Sequence, residues 1–304
     1  MNRVIIDCDP GIDDALALLL ACASPEIELL AVTTVAGNRP VDTTALNACR
    51  ILDTAGRQAV PVFAGCARPL AHASPRCNLV HGEDGLGGVP LIATRRADAA
   101  HASDIIARTL LGNDLGTITL VAVGPLTNLA LAEIKHPGLL RRAKALLLMG
   151  GAAFCPGNIT PAAEFNFYAD PLAAHTVMSA GVQVQMFGLD VTGKAVMPDD
   201  WITSFGDLKT RCGRAARDML RAYAALDPLL HDACPIAHLL DPTLFTGQPC
   251  AVAVDWRPGA TEGHCAAWSM SRDDLPFAPN AIVFTEVDCA RLMACVRQRI
   301  ARLP

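Results

Sequence analysis

The sequence predicts an α/β fold: a single domain over residues 1–304, with an open, mainly parallel but mixed sheet flanked by helices. Three observations carry this. Short apolar runs without polar alternation, the pattern of strands buried on both faces, are separated by longer helical stretches. No internal repeat, low-complexity tract or Pro/Gly/Ser linker divides the chain. With 52% hydrophobic and 18% charged residues, 304 residues are too apolar for disorder and enough for a large core.

The elements follow in order. Residues 4–6, a β-branched run, read as a strand, 14–22 as a helix and 28–35 as a second strand. Residues 41–55 are helical and 60–63 strand-like. Further strands are expected at 118–123, 145–149 and 182–187, with helices at 126–134 and 171–180 between them. In such a sheet the binding crevice lies outside the carboxyl ends of the strands. Polar and turn residues gather there: Asp7, Asp9, Asp13 and Asp14 after the first strand, Gly37 and Asn38 after the second. Gly-Pro-Leu-Thr-Asn follows Val123, and two glycines follow Met149.

Charge and cysteine exclude several classes. A net charge of −5 offers no basic field for a phosphate backbone, so no nucleic-acid partner is expected. The apolar run at 15–23 is shorter than the ~20 residues of a membrane span. The opening MNRVIIDCD is interrupted early by an acid and does not read as a secretory leader. Twelve cysteines lie mostly in apolar segments and form no CxxC pair, the pattern of free thiols in a reducing cytoplasm.

Asp7 to Asp14 places four carboxylates in eight residues, at a strand end and a helix start. Asp13 or Asp14 suits the positive end of a helix, and Asp7 could satisfy backbone donors of the Pro10-Gly11 turn. Four carboxylates in one loop repel each other unless a cation is present, and hard oxygens select Ca²⁺ or Mg²⁺ over zinc. Asp-x-Asp after a first strand also opens the haloacid dehalogenase-like phosphatases. Here, however, Pro10-Gly11-Ile12 and a double Asp follow, with no convincing Lys and downstream acidic pair. His81-Gly82-Glu83 superficially matches a zinc deaminase, but no PCxxC follows.

The string DCDPGIDDALALLLA, followed by ELLAVTTVAGN, resembles the calcium-dependent nucleoside hydrolases (the inosine-uridine nucleoside N-ribohydrolase family). The resemblance continues in HGEDGL at 81–86, AVGPLTNLA at 122–130, MGG at 149–151, GNITPAAEFNFYADP at 157–171 and LLHDACPIAHLLDP at 229–242. It implies the Rossmann-like nucleoside hydrolase fold and hydrolysis of the N-glycosidic bond of ribonucleosides to base and ribose. It also implies a homodimer or homotetramer.

By resemblance, Ca²⁺ is held by Asp9, Asp14, Asp232 and the carbonyl of Val123. Asp9 is also the general base toward a metal-bound water, and the transition state is oxocarbenium-like. Asp13 accepts from the ribose 2′-hydroxyl. Asn38, Asn158, Glu164 and Asn166 bind the remaining hydroxyls, Glu164 and Asn158 near the 5′ end, and Met149 packs on the sugar. His231 is the candidate acid for the leaving base, against a structural histidine bonded to a backbone carbonyl. His81 lies near the base, and Tyr223 either reaches it or sits on a helix surface.

The chain departs from the family where it reads His231-Asp232-Ala233 with Pro235, in place of His-Asp-Pro. The stretch between Pro198 and Leu229 matches least and is expected to carry the base-contacting helices. Two alternatives remain open at this stage: a non-catalytic calcium-dependent nucleoside or ribose binder, and a hydrolase of modified or C-linked nucleosides.

Overall fold

A computed structural model of the chain describes residues 1–270 and 275–304. Nine strands form one sheet among them: β1 (Asn2–Cys8), β2 (Ile27–Thr34), β3 (Val62–Ala64), β4 (Ile118–Ala122), β5 (Ala145–Met149), β6 (Val184–Phe187), β7 (Phe245–Val254), β8 (Cys265–Ser269) and β9 (Ala281–Val287). The order across the sheet is β3-β2-β1-β4-β5-β6-β9-β7-β8. Every pairing from β3 to β9 is parallel, whereas β7 runs antiparallel to both β9 and β8.

The expected strands and helices are all present, with ends moved by a few residues. The first strand extends to Asn2–Cys8, and the helix after it begins two residues early, at Ile12. The mixed character expected of the sheet comes from β7 and β8; the sequence reading placed neither these two nor β9.

Helices cover both faces. On one side Ile12–Cys22, Val41–Thr54 and Ala233–Leu240 bury Leu16, Leu20, Ile51 and Ile236 in one core with β1 and β5. Outside them Arg211–Ala224 packs on Ile12–Cys22 and Cys289–Ile300 on Ala233–Leu240, burying Leu220 and Val296. On the other, Ala102–Leu111, Thr127–Lys135 and Pro171–Met178 pack Ile106, Leu129 and Val177 on Leu120, Leu146 and Val184. Burial on two faces is why these strands carry continuous apolar runs.

Chain order reverses between β1 and β4. From β1 the sheet grows through β2 to β3 on one side, and from β4 through β5 to β6 on the other. That switch point opens a crevice at the carboxyl ends of β1 and β4, directly beside Asp9 and Val123.

All twelve cysteines are free thiols, seven of them buried; Cys77 is the exposed one. Among the described residues no helix is long and apolar enough to cross a membrane.

Candidate active site

The turn after β1 is built around Asp14. Gly11, at the helix N-cap, has no side chain to offer, so Asp14 reaches back and accepts from the N–H groups of Asp9 (3.1 Å) and Gly11 (2.8 Å). Asn38, arriving after β2, donates its N–H to Asp9 Oδ2 at 2.6 Å. Its amide Nδ2 reaches Asp9 O and Asp14 Oδ2, both at 3.2 Å. The Asp9 carboxylate fits only because two loops approach it without side chains: a Cβ on Gly37 would lie 2.1 Å from Oδ2, and one on Gly124 would lie 2.4 Å from Oδ1.

Asp7 does not serve the Pro-Gly turn as expected. Asp14 takes the Gly11 donor, and Asp7 accepts instead from Thr33 Oγ1 (2.6 Å) and Asn128 Nδ2 (2.8 Å). Burial outweighs those two bonds and brings the Asp7 carboxyl up to about 7.

Asp232, at the N-cap of Ala233–Leu240, completes the cluster. Oxygens of Asp13, Asp14 and Asp232 lie within 4.8 Å of one another, and all three residues are buried. Asp9, equally buried, keeps Oδ1 without any hydrogen-bond partner among the described residues. Burial first, then the neighbouring aspartates, push the carboxyls of Asp9, Asp14 and Asp232 well above the usual range. Clustered oxygen donors, mutual repulsion and an orphaned carboxylate oxygen fit a hard divalent cation.

Above the cluster lies a cavity of about 670 Å³. Every expected site residue lines it except Asp9 and Asp14, which sit one layer beneath. Asn166 donates through Nδ2 to the carbonyls of Val123 (3.0 Å) and Met149 (3.1 Å), tying the ends of β4 and β5. Glu164 caps Phe165–Ala169: its oxygens accept from the N–H groups of Asn166, Phe167 and Gly151. Burial of this carboxylate exceeds the pull of those bonds and raises its pKa. Asn158 is exposed at the mouth and accepts from Phe165 N.

At the other end, His81 Nδ1 accepts from the Ile12 N–H (3.1 Å), which places the ring proton on Nε2, 3.8 Å from Asp13 Oδ1. Its ring stacks on Tyr223, with centroids 5.1 Å apart and planes 16° from parallel. Tyr223 is a buried cavity residue of Arg211–Ala224 rather than a helix-surface tyrosine. From the poorly matched stretch only Tyr223, Leu226 and Asp227 line the cavity; the helix Asp199–Ser204 does not.

His231 has Nδ1 2.8 Å from Thr192 Oγ1 and Nε2 3.3 Å from Asp227 Oδ2, and no backbone carbonyl is among these partners. Burial disfavours its charged form, but the Asp227 hydrogen bond and charge outweigh that and raise its pKa. Sequence reasoning missed both partners. The spacing of Asp227 four residues before His231, with Pro228 marking a turn, was the one available signal.

A buried acidic cluster at the switch point of a parallel sheet, beneath a cavity edged by amides and histidines, defines an α/β protein with a site for a small polar molecule. The family model for "Inosine-uridine preferring nucleoside hydrolase" matches residues 4–294, and the chain belongs to that family. It is 38% identical to the pyrimidine-specific ribonucleoside hydrolase RihA of Photobacterium profundum, over 99% of each chain. It is 37% identical to the inosine-uridine preferring nucleoside hydrolase of Leishmania major, over 86% of each. Among solved structures, a plant nucleoside hydrolase superposes with a TM-score of 0.93 at 31% identity, covering 99% of both chains. The chain is therefore a nucleoside hydrolase.

Proposed function

We propose that this chain hydrolyses the N-glycosidic bond of ribonucleosides with Ca²⁺ held by Asp9, Asp14, Asp232 and the Val123 carbonyl. When bound, the cation supplies a water of lowered pKa and a seat for vicinal ribose hydroxyls. The observation that carries the reading is the buried acidic cluster directly beneath the cavity.

Asp9 is the general base. Asn38 N–H holds Oδ2, so Oδ1 is left to take the proton from the attacking water. Asp13 accepts from the 2′-hydroxyl. Asn166, its amide N–H groups spent on two carbonyls, presents Oδ1 to the sugar, while Glu164 and Asn158 face the 5′ end and Met149 packs on the ring. Carboxylates around the ribose stabilise the positive charge that develops as the bond breaks. His231, held by Thr192 and Asp227, protonates the departing base beside His81 and Tyr223.

Twelve free thiols suit a reducing cytoplasm, and a symmetric dimer or tetramer is the expected assembly, to be read by sedimentation. The deciding experiment is steady-state hydrolysis of inosine, adenosine, uridine and cytidine, before and after chelation. Turnover lost to the chelator and restored by calcium supports the reading, and the ranking gives the base preference. Absence of turnover on all four, with calcium bound, rejects it.

A further inference from the structure

Between β3 and the helix Ala102–Leu111 the chain crosses residues 65–101 without a helix or strand; one isolated bridge joins Phe63 to Asp98. This segment nevertheless supplies a wall of the cavity: Cys77, Asn78, Leu79 and Val80. Its far end is fixed near the cation cluster, through His81 to Ile12 N and through Asn47 Nδ2 to Asp84 O. The near end has a different anchor. Arg76, the residue before the wall, donates to both carboxylate oxygens of Glu262 at 3.1 Å and to Tyr168 O at 2.7 Å, and its guanidinium lies 4.0 Å from the Tyr168 ring centroid. His72 Nε2 meets Glu262 Oε1 at 2.7 Å.

Glu262 is buried, and the β7–β8 turn that carries it is braced. Thr261 Oγ1 donates to Asp255 Oδ2, Asp255 N to His264 O, and His264 Nδ1 lies 3.1 Å from Ala162 O in the loop leading to Glu164. One carboxylate at the edge of the sheet thus joins three segments: the cavity wall, the helix of Asn166, and the β7–β8 turn. Arg76 Nη2 meets both Glu262 oxygens while Nη1 holds Tyr168 O, so two nitrogens of one planar group, tied to two segments, fix its orientation as well as its distance.

We propose that Glu262 is a positioning residue: through Arg76 and His72 it sets residues 77–80 against the bound nucleoside and so governs substrate affinity. This rests on the nucleoside hydrolysis proposed above. Because the wall lies away from the acidic cluster's own hydrogen bonds, its loss weakens binding of the ground state and transition state alike, which raises KM and spares kcat.

The test is steady-state kinetics of wild type, Glu262→Ala, Arg76→Ala and the double variant on the best nucleoside of the panel, with calcium. Each single change raises KM by about tenfold with kcat within about twofold. The double change costs no more than the worse single, because both cut one link. Glu262→Gln, which keeps an acceptor for Arg76, stays within about threefold of wild type. Unchanged KM in the alanine variants, additive effects, or a fall in kcat alone overturns the proposal. If Glu262→Ala does not fold, Arg76→Ala and Glu262→Gln carry the same comparison. Wild type inactive on every nucleoside rejects the parent reading; active wild type with unaffected variants rejects this inference alone.

Discussion

His231 Nε2 lies 3.3 Å from Asp227 Oδ2, a contact between residues four apart that orients the ring over the cavity. General acid catalysis by a positioned histidine contributes about 10²–10⁴-fold. His231→Ala is therefore expected to lower kcat on inosine or uridine by about a hundredfold or more. A 4-nitrophenyl riboside, whose leaving group needs no proton, is expected to lose less than about threefold. Asp227→Ala follows the same pattern with a smaller loss. Equal losses on both substrates would remove His231 from the acid role.

The acidic cluster repels itself when no cation is bound. Calcium is expected to raise the melting temperature of wild type, by roughly 5 °C at a hundredfold excess over Kd. Asp232→Asn relieves part of the repulsion, so it melts at or above wild type under chelation and gains little from calcium. Differential scanning fluorimetry with and without chelator reads both effects.

His238 is packed among Phe187, Phe245 and Phe284, and its Nδ1 is buried without a partner among the described residues. Burial, opposed only by Asp241, brings the imidazole down to about 4. The unfolded chain takes up this proton near pH ~6.5, so between pH 6.5 and 4 it binds more protons and stability falls as pH falls. Allowing for partial exposure, the contribution is about 2 kcal/mol. Urea unfolding at pH 7.5 and 5 is expected to show a smaller acid loss in His238→Phe than in wild type.

Asn128 is fully buried. It donates to Asp7 Oδ1 and Thr34 O, and accepts from Cys66 N through Oδ1. Asn128→Ala strips Thr34 O and Cys66 N of this partner and leaves Asp7 Oδ1 with Thr33 alone, and is expected to cost about 2–4 kcal/mol in urea unfolding, since each stranded buried group costs about 1–3 kcal/mol. A loss below about 0.5 kcal/mol would contradict this accounting.

Strands β1 to β6 were legible because strands buried on both faces have little choice but to be apolar throughout, whereas β9, also parallel, went unplaced. β7 was not legible either: the middle of Phe245–Val254 is exposed and holds Gly247 and Pro249, both weak strand formers, so no strand pattern survives there. β8 is a five-residue edge strand with most of its side chains half-buried. The site residues that follow strands directly (Asp9, Asn38, Val123, Met149) could be found because polar and turn residues collect at strand ends. Thr192 reaches His231 only through tertiary packing, which no spacing announces, and Asp227 left only its place four residues before His231 as a signal. Asp7 was visible as a carboxylate, but its partners, Thr33 and Asn128, come from other parts of the chain.

The cavity is made of two unlike materials. Asp9, Asn38, Val123 and Met149 hang from strand ends whose register is locked by the core. Residues 77–80 and Leu226 stand on tethers outside the sheet. A change of taste between one base and another can therefore be written into the tethers while the bond-breaking half stays rigid. The selectivity of such an enzyme is free to drift faster than its chemistry.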